Sequence, residues 1–238
     1  MVLLRVLRWT ALLLLVVLAA AIGFRWGRGT RAPGQPALPD LGAAPEYTLT
    51  NQLGQTVKSS QFRGRVQVVT FLFPYCTTIC PLIAAHMTNF MTQSAEPAGL
   101  TDRIQLVTFN VDPAGTGPRQ MSAFLQQYGW NPHDLHWQYL TGDPAEIRRV
   151  VTDGFHVSYH RVTDAEEARE GAGGPAIQQP EVENDLAARA HVNYDIVHND
   201  VIEIVDPQGR VRKIYMDGDL VSPEALMSAV KAALRQQK

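Results

Sequence analysis

The sequence predicts an α/β fold with a mixed central sheet flanked by helices. Two observations carry this. From Tyr47 onward, β-patterned segments alternate with helix-patterned ones, the order that builds parallel strands joined by crossover helices. Near the end the alternation gives way to a β-hairpin, "DVIEIVDPQGRVRKIYM", and one last helix, so the sheet must also hold antiparallel strands. A third observation marks the place of interest. The only two cysteines, Cys76 and Cys80, fall together in one strand-to-helix turn.

Taken in order, "YTLTNQLGQTVKSSQF" predicts a short hairpin turned around Asn51–Gly54. Val66 to Phe73 is a nearly continuous apolar run, as expected for a strand covered on both faces. After the cysteines, Pro81 suits the first turn of a helix, where its missing N–H would have no intrahelical partner. Ile83, Met87 and Phe90 then follow the spacing of one buried helix face. "RIQLVTFNV" predicts a strand and "GPRQMSAFLQQYG" a helix closed by glycine. "HWQYLTG" is a further strand, and "DPAEIRRVVTDG" a short helix with Asp143 as its N-cap. The late hairpin turns on Pro207-Gln208-Gly209, and Ser222 with Pro223 opens the final helix, "SPEALMSAVKAALRQQ". No internal repeat is visible. A strand, a thiol-bearing turn and a helix form the start of a thioredoxin-like arrangement. One segment departs from the rhythm: His160 to about His191 is polar, acidic in bias and broken by Gly-Gly-Pro, and reads as a long surface insertion.

The N-terminus faces a different solvent. "WTALLLLVVLAAAIGF" runs from Trp9 to Phe24 without a charge, with Arg5 and Arg8 before it and Arg25 and Arg28 after it. The run falls a little short of the roughly 20 residues that span hydrocarbon, a gap that snorkelling arginines close. Residues 1–25 therefore read as a membrane anchor, with a cleaved signal peptide as the alternative because Ala19-Ala20-Ala21 offers a cleavage pattern. Residues 26–45, rich in Gly, Pro and Ala, read as a linker, and 46–238 as one globular domain. The domain is expected on the far side of a membrane from the cytoplasm.

Composition narrows the function. With 21 Lys and Arg against 23 Asp and Glu, the net charge is −2, and no basic block is present, which argues against nucleic acid. A domain of this length buries about 70% of its unfolded surface and needs no staple. A Cys76–Cys80 bridge would close a tiny loop contributing about 2 kcal/mol, against about 4.7 for a 100-residue loop. A purely structural disulfide is the weaker reading. At a helix mouth, unpaired N–H groups and the helix dipole stabilise a thiolate, which is both a redox nucleophile and a soft-metal ligand.

Redox patterns fit only in part. The usual signature is Cys-x-x-Cys, and this turn has one residue more. No proline precedes the late strand "VIEIVD"; His198, Asn199 and Asp200 lead into it. A peroxiredoxin-type Pro-x-x-x-Thr-x-x-Cys also fails, since Phe73 holds the proline position. For metals, a structural zinc site usually takes four protein ligands, whereas copper(I) is satisfied by two or three soft ones. His86 lies about 240° round the helix from Cys80 and points away, and Met87 belongs to the apolar stripe. His133, His136, His156 and His160 give no geometric signal. His198 sits where a thioredoxin-like topology brings a loop beside the helix mouth, and is the candidate third ligand.

"FLFPYCTTICP", the "NVDP" after the next strand, and "YDIVHNDVIEIVDPQGRV" resemble the Sco/SenC proteins over roughly Tyr47 to Arg235. These are membrane-tethered, thioredoxin-like copper proteins that help assemble the binuclear copper centre of cytochrome c oxidase. The resemblance implies a copper metallochaperone rather than an enzyme, with Cys76, Cys80 and His198 as the copper ligands. It implies as partners an upstream copper donor, the copper-bearing oxidase subunit and the membrane, with the chain crossing the inner membrane once and its domain on the periplasmic side. The alternative it leaves is a membrane-tethered thiol–disulfide oxidoreductase that reduces the oxidase-subunit cysteines before copper insertion. Asp112 matches a family aspartate, but Thr116 stands where a second acidic residue is usual. A three-coordinate site open to solvent is expected, as ligand exchange needs an accessible edge.

Overall fold

A computed structural model describes residues 37–163 and 194–236. The anchor expected over 1–25, much of the linker and the centre of the insertion lie outside the described residues. Among the described residues no helix is long and apolar enough to cross a membrane.

The chain enters through a hairpin, β1 (Thr48–Asn51) and β2 (Thr56–Lys58), with Gly54 at φ 75° in the turn where the sequence places it. Next come β3 (Val66–Leu72), every residue of it buried, and helix α1 (Cys80–Asn89). β4 (Ile104–Asn110), α2 (Pro118–Gln127) and β5 (Trp137–Thr141) complete two strand–helix–strand units. Helix α3 (Pro144–Arg148) starts at Asp143, whose side chain accepts from the N–H groups of Ala145 and Glu146, and runs on into a π-helical turn, Arg149–Gly154. β8 (Ile202–Val205) and β9 (Val211–Tyr215) make the late hairpin, and α4 (Pro223–Arg235) follows its Ser222 cap.

These strands form one seven-stranded sheet in the order β2-β1-β5-β4-β3-β8-β9. The β5-β4-β3 centre is parallel, and β1 and β8 join it antiparallel. Because β3→β4 and β4→β5 step in the same direction, right-handed crossovers place α1 and α2 on the same face. The contacts agree: the Thr88 hydroxyl of α1 donates to the Tyr128 carbonyl just past α2, and Phe124 of α2 packs edge-on to Tyr139. Thr70 and Thr108 share a buried hydrogen bond of 2.7 Å on this face. On the other face Phe71, Phe109 and Phe155 form an aromatic layer. The expected stripe of α1 is buried, with Ile83, Met87 and Phe90 at most 1% exposed.

Two features differ from expectation. First, His160 does not open a loop. Tyr159–Thr163 is a strand, β6, paired antiparallel with a second strand, β7 (Tyr194–His198), in a ribbon separate from the main sheet. His198 thus ends a strand rather than lying in a turn. The ribbon carries little apolar signal because only Val162 and Ile196 of its strands are buried. Second, the stretch 37–45, within the expected linker, lies along the late hairpin: Leu41 N–H donates to the Val211 carbonyl, and Asp40 pairs with Arg210 at 2.8 Å.

Candidate metal centre

The parallel strands end on a common edge, and the thiols sit just beyond it. Cys76 lies in the turn after β3, its N–H donating to the Phe73 carbonyl at 3.2 Å. Cys80 is the first residue of α1, so its N–H is one of the donors a helix leaves unpaired; it points at the Cys76 Sγ, 3.4 Å away. The Thr78 hydroxyl is 3.5 Å from the same sulfur.

His198 reaches the pair from the end of β7. Its Nδ1 is 3.1 Å from the Asn199 carbonyl, which can only accept, so Nδ1 carries a proton. That leaves Nε2 facing the dithiol, 3.5 Å from the Cys80 Sγ. Phe73 stands edge-on to the imidazole with ring centroids 6.4 Å apart. A ligating histidine that gives its other N–H to a carbonyl is held in one orientation and one tautomer. All three ligand atoms lie within 4.8 Å of one another, and no other such cluster of His, Cys, Asp and Glu occurs among the described residues. Three donors about 2.3 Å from one ion, a typical metal–thiolate distance, would stand about 4 Å apart in a trigonal array. The spacing fits.

The two thiols are electrostatically unlike. Hydrogen bonding from the Cys80 side chain, helped by His198, Thr78 and the Cys80 N–H, holds Cys76 well below the ordinary thiol range against the opposing effect of burial. Burial first, and then the neighbouring Cys76, push Cys80 well above it. Burial disfavours the charged form of His198, but hydrogen bonding with Cys76 and the Asn199 carbonyl outweighs it, and its pKa is raised. In the metal-free site Cys76 is thus the sulfur that ionises first and Cys80 the one that holds its proton.

The expectation of an open site needs correction. Cys76 is 3% exposed and Cys80 is fully buried, because the ribbon and its imidazole close over the turn; only His198 is partly exposed. No other histidine among the described residues joins the cluster. His86 lies outside the cluster and its Nδ1 is buried without a partner among the described residues, while His136 pairs with Asp134 and Asp102. Met87 is core, as its spacing implies. Asp112 is not among the ligands: its carboxylate is occupied by Arg161 and Tyr194. Thr116 bonds to Asn110 and to the Asp112 carbonyl within the same turn. Those partners of Asp112 were not found from sequence, although the alternate spacing of Tyr194, Ile196 and His198 was the available signal.

The profile of the SCO1/SenC family matches residues 38–173. The SCO1 protein homolog of Bacillus subtilis is 27% identical over 188 residues, covering 79% of this chain and 80% of its own. A putative copper-binding protein of Stutzerimonas stutzeri is 25% identical over 175 residues, covering 74% and 70%. Among solved structures, BsSco, described as a Sco-family cytochrome c oxidase assembly protein with a disulfide switch, matches with a TM-score of 0.61 at 23% identity, over 85% of this chain and all of the other. Arabidopsis thaliana ScoI with copper bound matches with a TM-score of 0.60 at 20% identity, over 82% and 99%. These structural likenesses carry the thioredoxin-like Sco fold.

Proposed function

The chain belongs to the SCO1/SenC family, and from that premise we propose that it is a copper metallochaperone. It binds one copper ion as cargo through Cys76, Cys80 and His198 and delivers it to the binuclear copper centre of cytochrome c oxidase. One observation carries this reading: two thiols and an imidazole nitrogen within 4.8 Å of one another. Thiolates select copper(I), and imidazole also suits copper(II), so the same set serves either state. A three-donor set leaves room for an incoming ligand, and the partly exposed His198 is the edge at which exchange begins. An upstream donor supplies the ion. The N-terminal segment tethers the domain to the inner membrane, on the periplasmic side.

The test is to reduce the full-length protein in detergent, load it anaerobically with copper, and compare it with Cys76→Ala and His198→Ala. One tightly held copper in the parent, lost or weakened in both variants, is expected. A parent that retains no stoichiometric copper would sink the reading.

The unequal thiols favour a second reading, a thiol–disulfide reductase that prepares the oxidase cysteines. The Cys76 thiolate would attack a substrate disulfide, and Cys80 would then displace the mixed disulfide. Two electrons and two protons pass to the substrate, leaving a Cys76–Cys80 disulfide. His198→Ala separates the readings: it loses or weakens copper binding, while the dithiol still exchanges once the pH is raised to restore the Cys76 thiolate.

A further inference from the structure

A two-stranded ribbon is marginally stable alone, and β6–β7 shares no ladder with the main sheet. Yet it supplies the third donor. Its register pairs Tyr159 with His198, Arg161 with Ile196 and Thr163 with Tyr194. Side chains alternate along a strand, so Tyr194, Ile196, His198 and Arg161 share one face. Ile196 enters the core on that face and His198 meets Cys80. At the other end of the ribbon, Tyr194 Oη donates to Asp112 Oδ2 at 2.7 Å and Arg161 Nη2 donates to Asp112 Oδ1 at 2.8 Å. The guanidinium also lies 3.8 Å from the centre of the Tyr194 ring.

Asp112 is 2% exposed and sits in the turn after β4, on the sheet edge that also bears the thiol turn, since Asn110 pairs with Leu72. Backbone space is reserved for the contact. A Cβ on Gly115 would collide with both the Tyr194 hydroxyl and the Asp112 carboxylate.

We propose that Asp112, Arg161 and Tyr194 are positioning residues, a latch that fixes the face and register of the ribbon and so holds His198 over the dithiol. With both carboxylate oxygens committed to the ribbon, opening the latch strands a buried charge, which makes the closed arrangement strongly preferred. A slip of one residue would turn His198 to the opposite face. The latch thereby sets how firmly the third donor holds the cargo, and that consequence rests on the copper reading above.

The test uses full-length Tyr194→Phe, Arg161→Gln, Arg161→Lys and Gly115→Ala proteins, with two readouts. In metal-free protein, amide hydrogen exchange in peptides covering 158–163 and 194–199 should quicken about tenfold in Tyr194→Phe, Arg161→Gln and Gly115→Ala, while β3 and β4 stay protected. In copper-loaded protein, affinity should fall about 10–100-fold, the range for residues that orient a ligand, and the copper(II) EPR spectrum should move toward that of His198→Ala. Arg161→Lys, which keeps the charge, should recover most of both.

Unchanged ribbon exchange in Tyr194→Phe and Arg161→Gln would overturn the latch. So would a loosened ribbon with parental copper affinity, or protection lost throughout β3 and β4, which would make the three residues a general support of the core. A parent that binds no copper would defeat the copper reading instead, and the exchange data would still judge the latch.

Discussion

The Sγ of Cys80 and the Nε2 of His198 lie 3.5 Å apart although 118 positions of sequence separate them. The ring is also among the groups that hold Cys76 ionised. His198→Ala should therefore act on the thiols before any metal is present. A hydrogen bond to a charged group contributes about 1.5 kcal/mol, so the pH midpoint of Cys76 alkylation should rise by about one unit. Mass spectrometry of alkylated peptides across pH 4–10 reads this; a midpoint that stays in place or falls would remove His198 from the thiolate's environment.

On copper binding the dithiol should release fewer protons than two ordinary thiols would yield. Cys76 is held well below the ordinary thiol range and so has less proton left to lose, whereas Cys80 is pushed well above it and keeps its proton for the metal to displace. The protonated fraction of His198 adds up to one more. Affinity should fall as pH drops, since protons then compete for the same atoms. Calorimetry in buffers of different ionisation enthalpy counts the protons; none released at pH 7, or an affinity flat between pH 5 and 8, would argue against thiolate ligation.

Glu203 is a carboxylate 2% exposed on β8, opposite Val69, and burial raises its pKa to about 8. The unfolded chain releases this proton near pH 4.5, whereas the folded protein keeps it to about 8. Folded protein thus binds the extra proton between those values, and its stability falls across that window by up to about 1.4 kcal/mol per pH unit. Glu203→Gln should flatten the decline and be the more stable protein at pH 8. Urea unfolding at pH 5 and pH 8 checks this, and parallel losses in both proteins would refute it.

The Tyr139 hydroxyl is buried on the face shared with α1 and α2 and has no hydrogen-bond partner among the described residues. An unsatisfied buried hydroxyl costs about 1–3 kcal/mol. Tyr139→Phe should therefore stabilise the metal-free protein by about 1 kcal/mol in denaturant unfolding. A loss of that size instead would mean that the hydroxyl has a partner, with the neighbouring thiols the first to test.

Elements whose pattern is set by local physics are legible in the order of residues. β3 is legible because a strand buried on both faces is apolar throughout; α1, α3 and α4 are legible because Pro81, Asp143 and Ser222 satisfy or avoid the unpaired groups of a helix start. The thiol turn and its chemistry were equally legible, since the placement of two sulfurs at a helix mouth is local. The rest depends on tertiary structure. His160 to Thr163 look like the start of a surface insertion and His198 like a turn residue; 159–163 and 194–198 become a ribbon only where Ile196 reaches the core and Asp112 receives Arg161 and Tyr194. The same closure buries the thiols and makes them unequal. Burial and charge pairing depend on what packs from distant segments, and strand periodicity cannot report a partner more than 100 residues away.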